Sequence, residues 1–222
     1  MLDGIIRTSV LLGALLAASP MQADERSVLR VREDAQRDRL WVLRPNGVHL
    51  YSLKTRQLLR HIALPGWYWA GEPYSCAPDV AIGPHGEALV TSDVAPVLWR
   101  IDPRSLTVGV RELALDADNH MDVGFTGLVY APQHSAYLAV SYAGSLWRIN
   151  TGLSQARKIP LSAPMPQACG ISVRPTLCVR GEDKDWVIEL APDARSGRVS
   201  PTPLCARPGE GSVAGSGRST AR

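Results

Sequence analysis

The sequence predicts an all-β fold made of four repeated units, each a sheet of four short strands. Three observations carry that expectation. A short phrase recurs, Leu98-Trp99-Arg100-Ile101 returning as Leu146-Trp147-Arg148-Ile149, 48 residues later. An aromatic residue holds the same place in "VHLYSL" (Tyr51) and in "DWVIEL" (Trp186). Short apolar runs alternate with turn signals roughly every ten residues, and helical periodicity is almost absent. Repeats of about 40–48 residues with four strands each are the sequence signature of a β-propeller.

Taken in order, the chain opens with a short segment carrying Arg7, then the apolar run "SVLLGALLAA" (9–18) and "SPMQADE". About ten apolar residues are too few to cross a bilayer and suit a signal peptide. Residues 1–23 are read as that peptide, cleaved after Ala23, and 24–205 as the propeller. No later segment is long and apolar enough to span a membrane, so the expected location is the periplasm or the exterior.

The first blade covers about 28–64, with "VLRVRE", "RLWVL", "VHLYSL" and "QLLRHIAL" as strands. Blades two, three and four cover about 76–116, 122–162 and 168–204. In blades two and three an apolar run leads through Pro84-His85-Gly86 or Pro132-Gln133-His134 into an alternating run. The tryptophan strand follows, then a polar turn and a fourth strand, "VRELAL" or "ARKIPL". One such sheet cannot bury both faces alone. Stacked around an axis, neighbouring sheets cover each other, and the strand-three aromatic becomes a wedge between blades. Residues 206–222, rich in Gly, Ser and Arg, have no apolar periodicity and are expected to be disordered. Four blades closing on themselves and four blades of a larger ring read alike at this level.

Composition narrows the function classes. The 222 residues are 45% hydrophobic and 20% charged, with a net charge of +3 and no clustered Lys/Arg. A phosphate backbone would need such a cluster, which argues against nucleic acid as a partner. The four cysteines, Cys76, Cys169, Cys178 and Cys205, show no metal or haem spacing. In an oxidising compartment they allow three connectivities. A bond between Cys76 and Cys169 would cross the axis, so Cys169–Cys178, linking adjacent strands of one blade, is the pairing expected here.

The phrases "PDVAIGPHGEALVTSD" and "TGLVYAPQHSAYLAVSYAGSLWRIN" resemble the blade consensus of exported bacterial propellers. The related families are the NHL and YVTN repeats and the gluconolactonase-like (SMP-30-type) hydrolases. The resemblance covers repeats two and three well and the outer two loosely. Its hydrolase branch implies a divalent metal held near the axis by Glu, Asn and Asp. This chain places Thr126 where the Asn would be and Ser141 where an Asp would be. In repeat two the matching places offer Asp79 and either Ser92 or Asp93. A hard cation needs several converging oxygen ligands, and the anionic set is incomplete.

Loops from the fourth strand of one blade to the first of the next form an axial rim. In the first such loop, "PGWYWAGEPYSCAPD" (65–79), Trp67 and Trp69 point one way with Tyr68 opposite. Trp67, Trp69, Glu72, Tyr74 and Asp79 are its candidate ligand- or partner-binding residues, since aromatics offer large area with a polar handle. The second loop, "LDADNHMDVG" (115–124), offers Asp118 and Asp122 as candidate cation ligands, although the EF-hand spacing is not met. The third is "SAPMPQACG" (162–170). G-x-S-x-G, Walker and H-E-x-x-H motifs are absent.

The expected function is therefore an exported module that binds a small molecule or a protein through its rim. No catalytic residue and no cofactor are assigned, with a divalent cation as the one candidate. The alternatives are a metal-dependent lactonase with a divergent site, or a truncated propeller without independent activity. An incomplete ring would imply a homodimer.

Overall fold

The computed structural model describes residues 27–71, 76–116, 124–173, 176–202 and 205. The chain forms four antiparallel sheets arranged as a four-bladed β-propeller. The first blade comprises β1 (Arg30–Asp34), β2 (Arg39–Arg44), β3 (Gly47–Ser52) and β4 (Leu58–Ile62). The second comprises β5 (Val80–Ile82), β6 (Ala88–Thr91), β7 (Val97–Ile101) and β8 (Val108–Glu112). A short strand, β9 (Ala114–Leu115), leads to the third: β10 (Gly127–Ala131), β11 (Ala136–Val140), β12 (Leu146–Ile149) and β13 (Gln155–Ile159). The fourth comprises β14 (Ala168–Val173), β15 (Leu177–Gly181), β16 (Asp185–Leu190) and β17 (Gly197–Thr202).

The repeated aromatic is an inter-blade wedge. Trp99, Trp147 and Trp186 are 5%, 0% and 3% exposed, and each packs against the preceding blade. Three apolar clusters result, between blades 1 and 2, 2 and 3, and 3 and 4. Strand alternation explains why both faces of the middle blades are apolar: Leu89 and Leu98 face blade 3, while Val90 and Trp99 face blade 1. Among the described residues no comparable cluster joins blade 4 to blade 1. Tyr51, the aromatic of blade 1, is correspondingly only half-buried.

Each turn between the third and fourth strands of a blade carries one non-glycine residue in the left-handed region: Arg56, Leu106, Leu153 and Ala194. Each donates its N–H back to a carbonyl three or four residues earlier. The expected strand "VRELAL" is divided. β8 ends at Glu112, Leu113 drops into the cluster between blades 2 and 3, and β9 pairs in parallel with β13 of the next blade. The chain thus buckles blade 2 to blade 3, and Leu161 repeats the manoeuvre between blades 3 and 4 on Gly197 of β17.

Candidate functional site

The first residues of the inner strands β1, β5, β10 and β14 converge at one axial end, and a polar network holds them. Asp79, directly before β5, is 0% exposed. Its carboxylate accepts hydrogen bonds from Arg32 Nη2 at 2.8 and 3.0 Å, from the Val80 N–H at 2.8 Å and from the Leu128 N–H at 3.0 Å. One side chain thereby ties blades 1, 2 and 3. The Thr126 hydroxyl donates to the Ala168 carbonyl, tying blade 3 to blade 4. Arg30 Nη2 donates to the carbonyls of Ala77 at 3.2 Å and Cys169 at 2.6 Å, so one guanidinium reaches from blade 1 to blade 4. The ring is closed here by hydrogen bonds where apolar packing is missing.

Three guanidiniums meet at this end. Arg30 Nε lies 3.7 Å from Asp79 and has no hydrogen bond. Burial lowers the Arg30 pKa; the Asp79 charge opposes that shift, while Arg32 and Arg180 add to it. Arg180, on β15 opposite Gly170, makes no hydrogen bond or ion pair among the described residues. Asp79 cannot neutralise all three, and its lone pairs are committed.

The disulfides differ from the expected pairing. The bonds are Cys76–Cys169, with Cα atoms 4.9 Å apart, and Cys178–Cys205, at 5.9 Å. Cys169–Cys178 does not form because Cys178 lies opposite Ser172, at the far end of β14 from Cys169. The doubt about crossing the axis fails for a local reason. Cys169 falls where the β14–β15 register shifts, and Cys76 lies ahead of β5, so a connecting segment does the reaching. A carboxylate oxygen of Glu182 lies within 4.8 Å of the Cys76 and Cys169 sulfurs. Bonded to each other, those sulfurs offer no thiolate to a cation.

The other candidate residues are placed as follows. Trp67 is buried in the cluster between blades 1 and 2, its Nε1 donating to the Thr91 carbonyl at 3.0 Å. Trp69 packs on the same cluster, whereas Tyr68 is 60% exposed. The structure brings Asp79 into the axial network but directs the two tryptophans into the core. Glu72, Tyr74, Asp118 and Asp122 lie outside the described residues. At the places where the hydrolase resemblance expects ligands, Ser92 Oγ accepts from the N–H groups of Val94 and Ala95, and Ser141 Oγ accepts from Ser145. The arginines of β1 were not anticipated. The signal was Arg30 and Arg32 at alternate positions of an innermost strand, hence on one face.

Between blades 2 and 3 a second buried pair forms: the Tyr137 hydroxyl donates to Glu87 Oε1 at 2.9 Å, and the His85 N–H donates to Oε2 at 3.0 Å. Burial first, then the Glu87 carboxylate, pushes the Tyr137 pKa up. This pair is walled in by Gly83, where a side chain would collide with both partners.

No protein-family model matches the chain, and no curated protein matches it in sequence. Solved structures do resemble it. The dihydro-heme d1 dehydrogenase NirN, in complex with DHE, superposes with a TM-score of 0.51 at 17% identity, covering 79% of this chain and 36% of NirN. The major Malassezia sympodialis allergen Mala s 1 gives 0.50 at 10% identity, covering 80% and 79%. The extracellular domain of BT4673 from B. thetaiotaomicron gives 0.50 at 14%, covering 76% and 22%. The chain thus spans about a third of the length of NirN. At these identities the likeness is one of fold: this chain is similar to β-propeller proteins.

Proposed function

We propose that the chain is an exported binding module of the NHL/YVTN type, which recognises an anionic group of a small molecule or protein at the axial entry. The observation that carries this reading is the concentration of positive charge there. Arg30 and Arg32 lie against the saturated Asp79 carboxylate. Arg180 is near enough to Arg30 to lower its pKa, with Glu182 beside the Cys76–Cys169 bond as the second acid of this end. A half-desolvated guanidinium without an acceptor is a ready partner for a carboxylate or phosphate. Ser92, Thr126 and Ser141, at places where the hydrolase resemblance expects ligands, are spent on backbone hydrogen bonds. Asp79 is saturated by Arg32 and two backbone N–H groups, and of these residues Asp93 alone is left without a donor. One carboxylate is too few for a hard cation, which supports recognition over metal-assisted hydrolysis. Two disulfides fit an oxidising compartment.

The test compares uronates, organic phosphates and acidic peptides with neutral sugars, by calorimetry and thermal shift at low and high salt. Anionic ligands should bind, weaken with salt, and lose at least about tenfold in affinity in Arg180→Ala, a cost of about 1.4 kcal/mol. The melting temperature of that variant should be unchanged. Equal binding of neutral ligands, or lactone hydrolysis that depends on Ca²⁺ or Mn²⁺, would overturn the reading.

A further inference from the structure

The two disulfides stand in different surroundings. Cys178 and Cys205 are 5% and 4% exposed, and the Cys205 sulfur lies 3.7 Å from the Val179 carbonyl and 3.8 Å from that of Trp186. That bond is enclosed by β15 and β16. The Cys76–Cys169 bond is asymmetric: Cys76 is 2% exposed, whereas Cys169 is only half-buried. The exposed Glu182 brings a carboxylate oxygen within 4.8 Å of both sulfurs, so this bond sits next to the surface at the axial end.

The backbone beside this bond positions two of the three axial guanidiniums. Arg30 Nη2 donates to the carbonyl of Cys169 itself and to that of Ala77, next in sequence to Cys76. Arg180 lies against Gly170, the residue after Cys169: a Cβ on Gly170 would stand 3.3 Å from Arg180 Nη2. The bond therefore fixes the spacing of the two carbonyls that aim Arg30 across the axis. It also holds the stretch of backbone on which Arg180 rests.

We propose that the Cys76–Cys169 bond is a redox switch on the axial anion site: cleaved by a low-molecular-weight thiol, it releases Arg30 and Arg180, and affinity falls. This rests on the reading of that end as an anion site. In the first step a thiolate attacks Cys169 Sγ, the reachable sulfur. A bond forms between the two sulfurs, the Sγ–Sγ bond breaks, and Cys76 leaves as a thiolate that takes up a proton. A second thiolate attacks the reagent's sulfur in this mixed disulfide and frees Cys169, which is protonated in turn. Two reagent thiols are thus oxidised to one disulfide, while the protein bond gains two electrons and two protons. Arg30 and Arg180 favour the approach of the attacking thiolate and stabilise the one that leaves, and Glu182 opposes both. Exposed disulfides are the more readily reduced ones. In an oxidising compartment the resting form is the bonded, ligand-binding one.

Partial reduction of the native full chain with dithiothreitol, followed by alkylation and peptide mass spectrometry, reads the lability of the bond and needs no ligand. Cys76 and Cys169 should be alkylated at least about tenfold faster than Cys178 and Cys205. Equal rates, or the reverse order, would overturn the proposal. Calorimetry with inorganic phosphate and with glucuronate then reads the site. The oxidised chain and the Cys178→Ser/Cys205→Ser pair should bind alike. The selectively reduced chain and the Cys76→Ser/Cys169→Ser pair should bind at least about tenfold more weakly, and reoxidation of the reduced chain should restore affinity. The circular dichroism of the reduced form should stay native; its loss would make the bond a structural tie and sink the switch. Equal affinity of oxidised and reduced chains would overturn the switch alone. An oxidised chain that binds neither probe would overturn the reading of the site together with the switch.

Discussion

Asp93 carries a carboxylate whose two oxygens are buried without a hydrogen-bond partner among the described residues. Burial pushes its pKa above the ordinary value of 3.8. The folded protein then holds this proton more tightly than the unfolded chain does. The charged form therefore penalises the fold above the folded pKa, and the penalty fades as pH falls to the unfolded value. Asp93→Asn should raise the melting temperature near neutral pH and lose that advantage in melts run below pH 3.8. An unchanged melt at neutral pH would mean the carboxylate is solvated after all. Asp79 is the opposite case, more deeply buried but supplied with donors on every side. Its prominence was visible in the sequence, as a carboxylate opening an inner strand. The arginines around it were not, because "VLRVRE" reads as an ordinary strand with one wet face. Only the convergence of the inner strands shows that this face points to the axis.

At the scale of the strand, the tryptophan wedge sets the stability of each blade pair. Trp147 is enclosed on all sides, so Trp147→Ala should cost about 3–5 kcal/mol. Tyr51, the aromatic of β3, is only half-buried and takes the place of Ile101 rather than of Trp99, since the turn at Ser52–Gln57 matches that at Asp102–Thr107. Tyr51→Ala, measured in dilute solution, should cost less than half as much by urea denaturation. Equal costs would show that Tyr51 is packed as fully as Trp147. The repeated phrase made these strands legible, since period-two alternation with an aromatic wedge is a strong local pattern. Two features escaped it. The break at Leu113 arises because that side chain enters the core between blades 2 and 3 and the next two residues change sheets, a tertiary event inside a continuous apolar run. The left-handed turns use Arg56, Leu106, Leu153 and Ala194, and none of these residue types signals such a turn.

For the molecule as a whole, the two disulfides close loops of very different length, with sequence separations of 93 and 27 residues. The chain-entropy account gives about 4.7 and about 3.5 kcal/mol for such loops. Paired removal of Cys76 and Cys169 should therefore lower stability by about 1 kcal/mol more than paired removal of Cys178 and Cys205, in parallel denaturant titrations. The opposite ranking would mean that the shorter bond, which joins Cys205 to β15, matters more than the long tether between blades 2 and 4. The connectivity also bears on how the chain acquires its bonds. No cysteine lies between Cys76 and Cys169. Among these four cysteines Cys76 comes first in chain order, and the next thiol along is its native mate. Cys178 then waits only for Cys205. First-come pairing yields the native bonds without reshuffling, so this chain has little need of a disulfide isomerase, only of an oxidant.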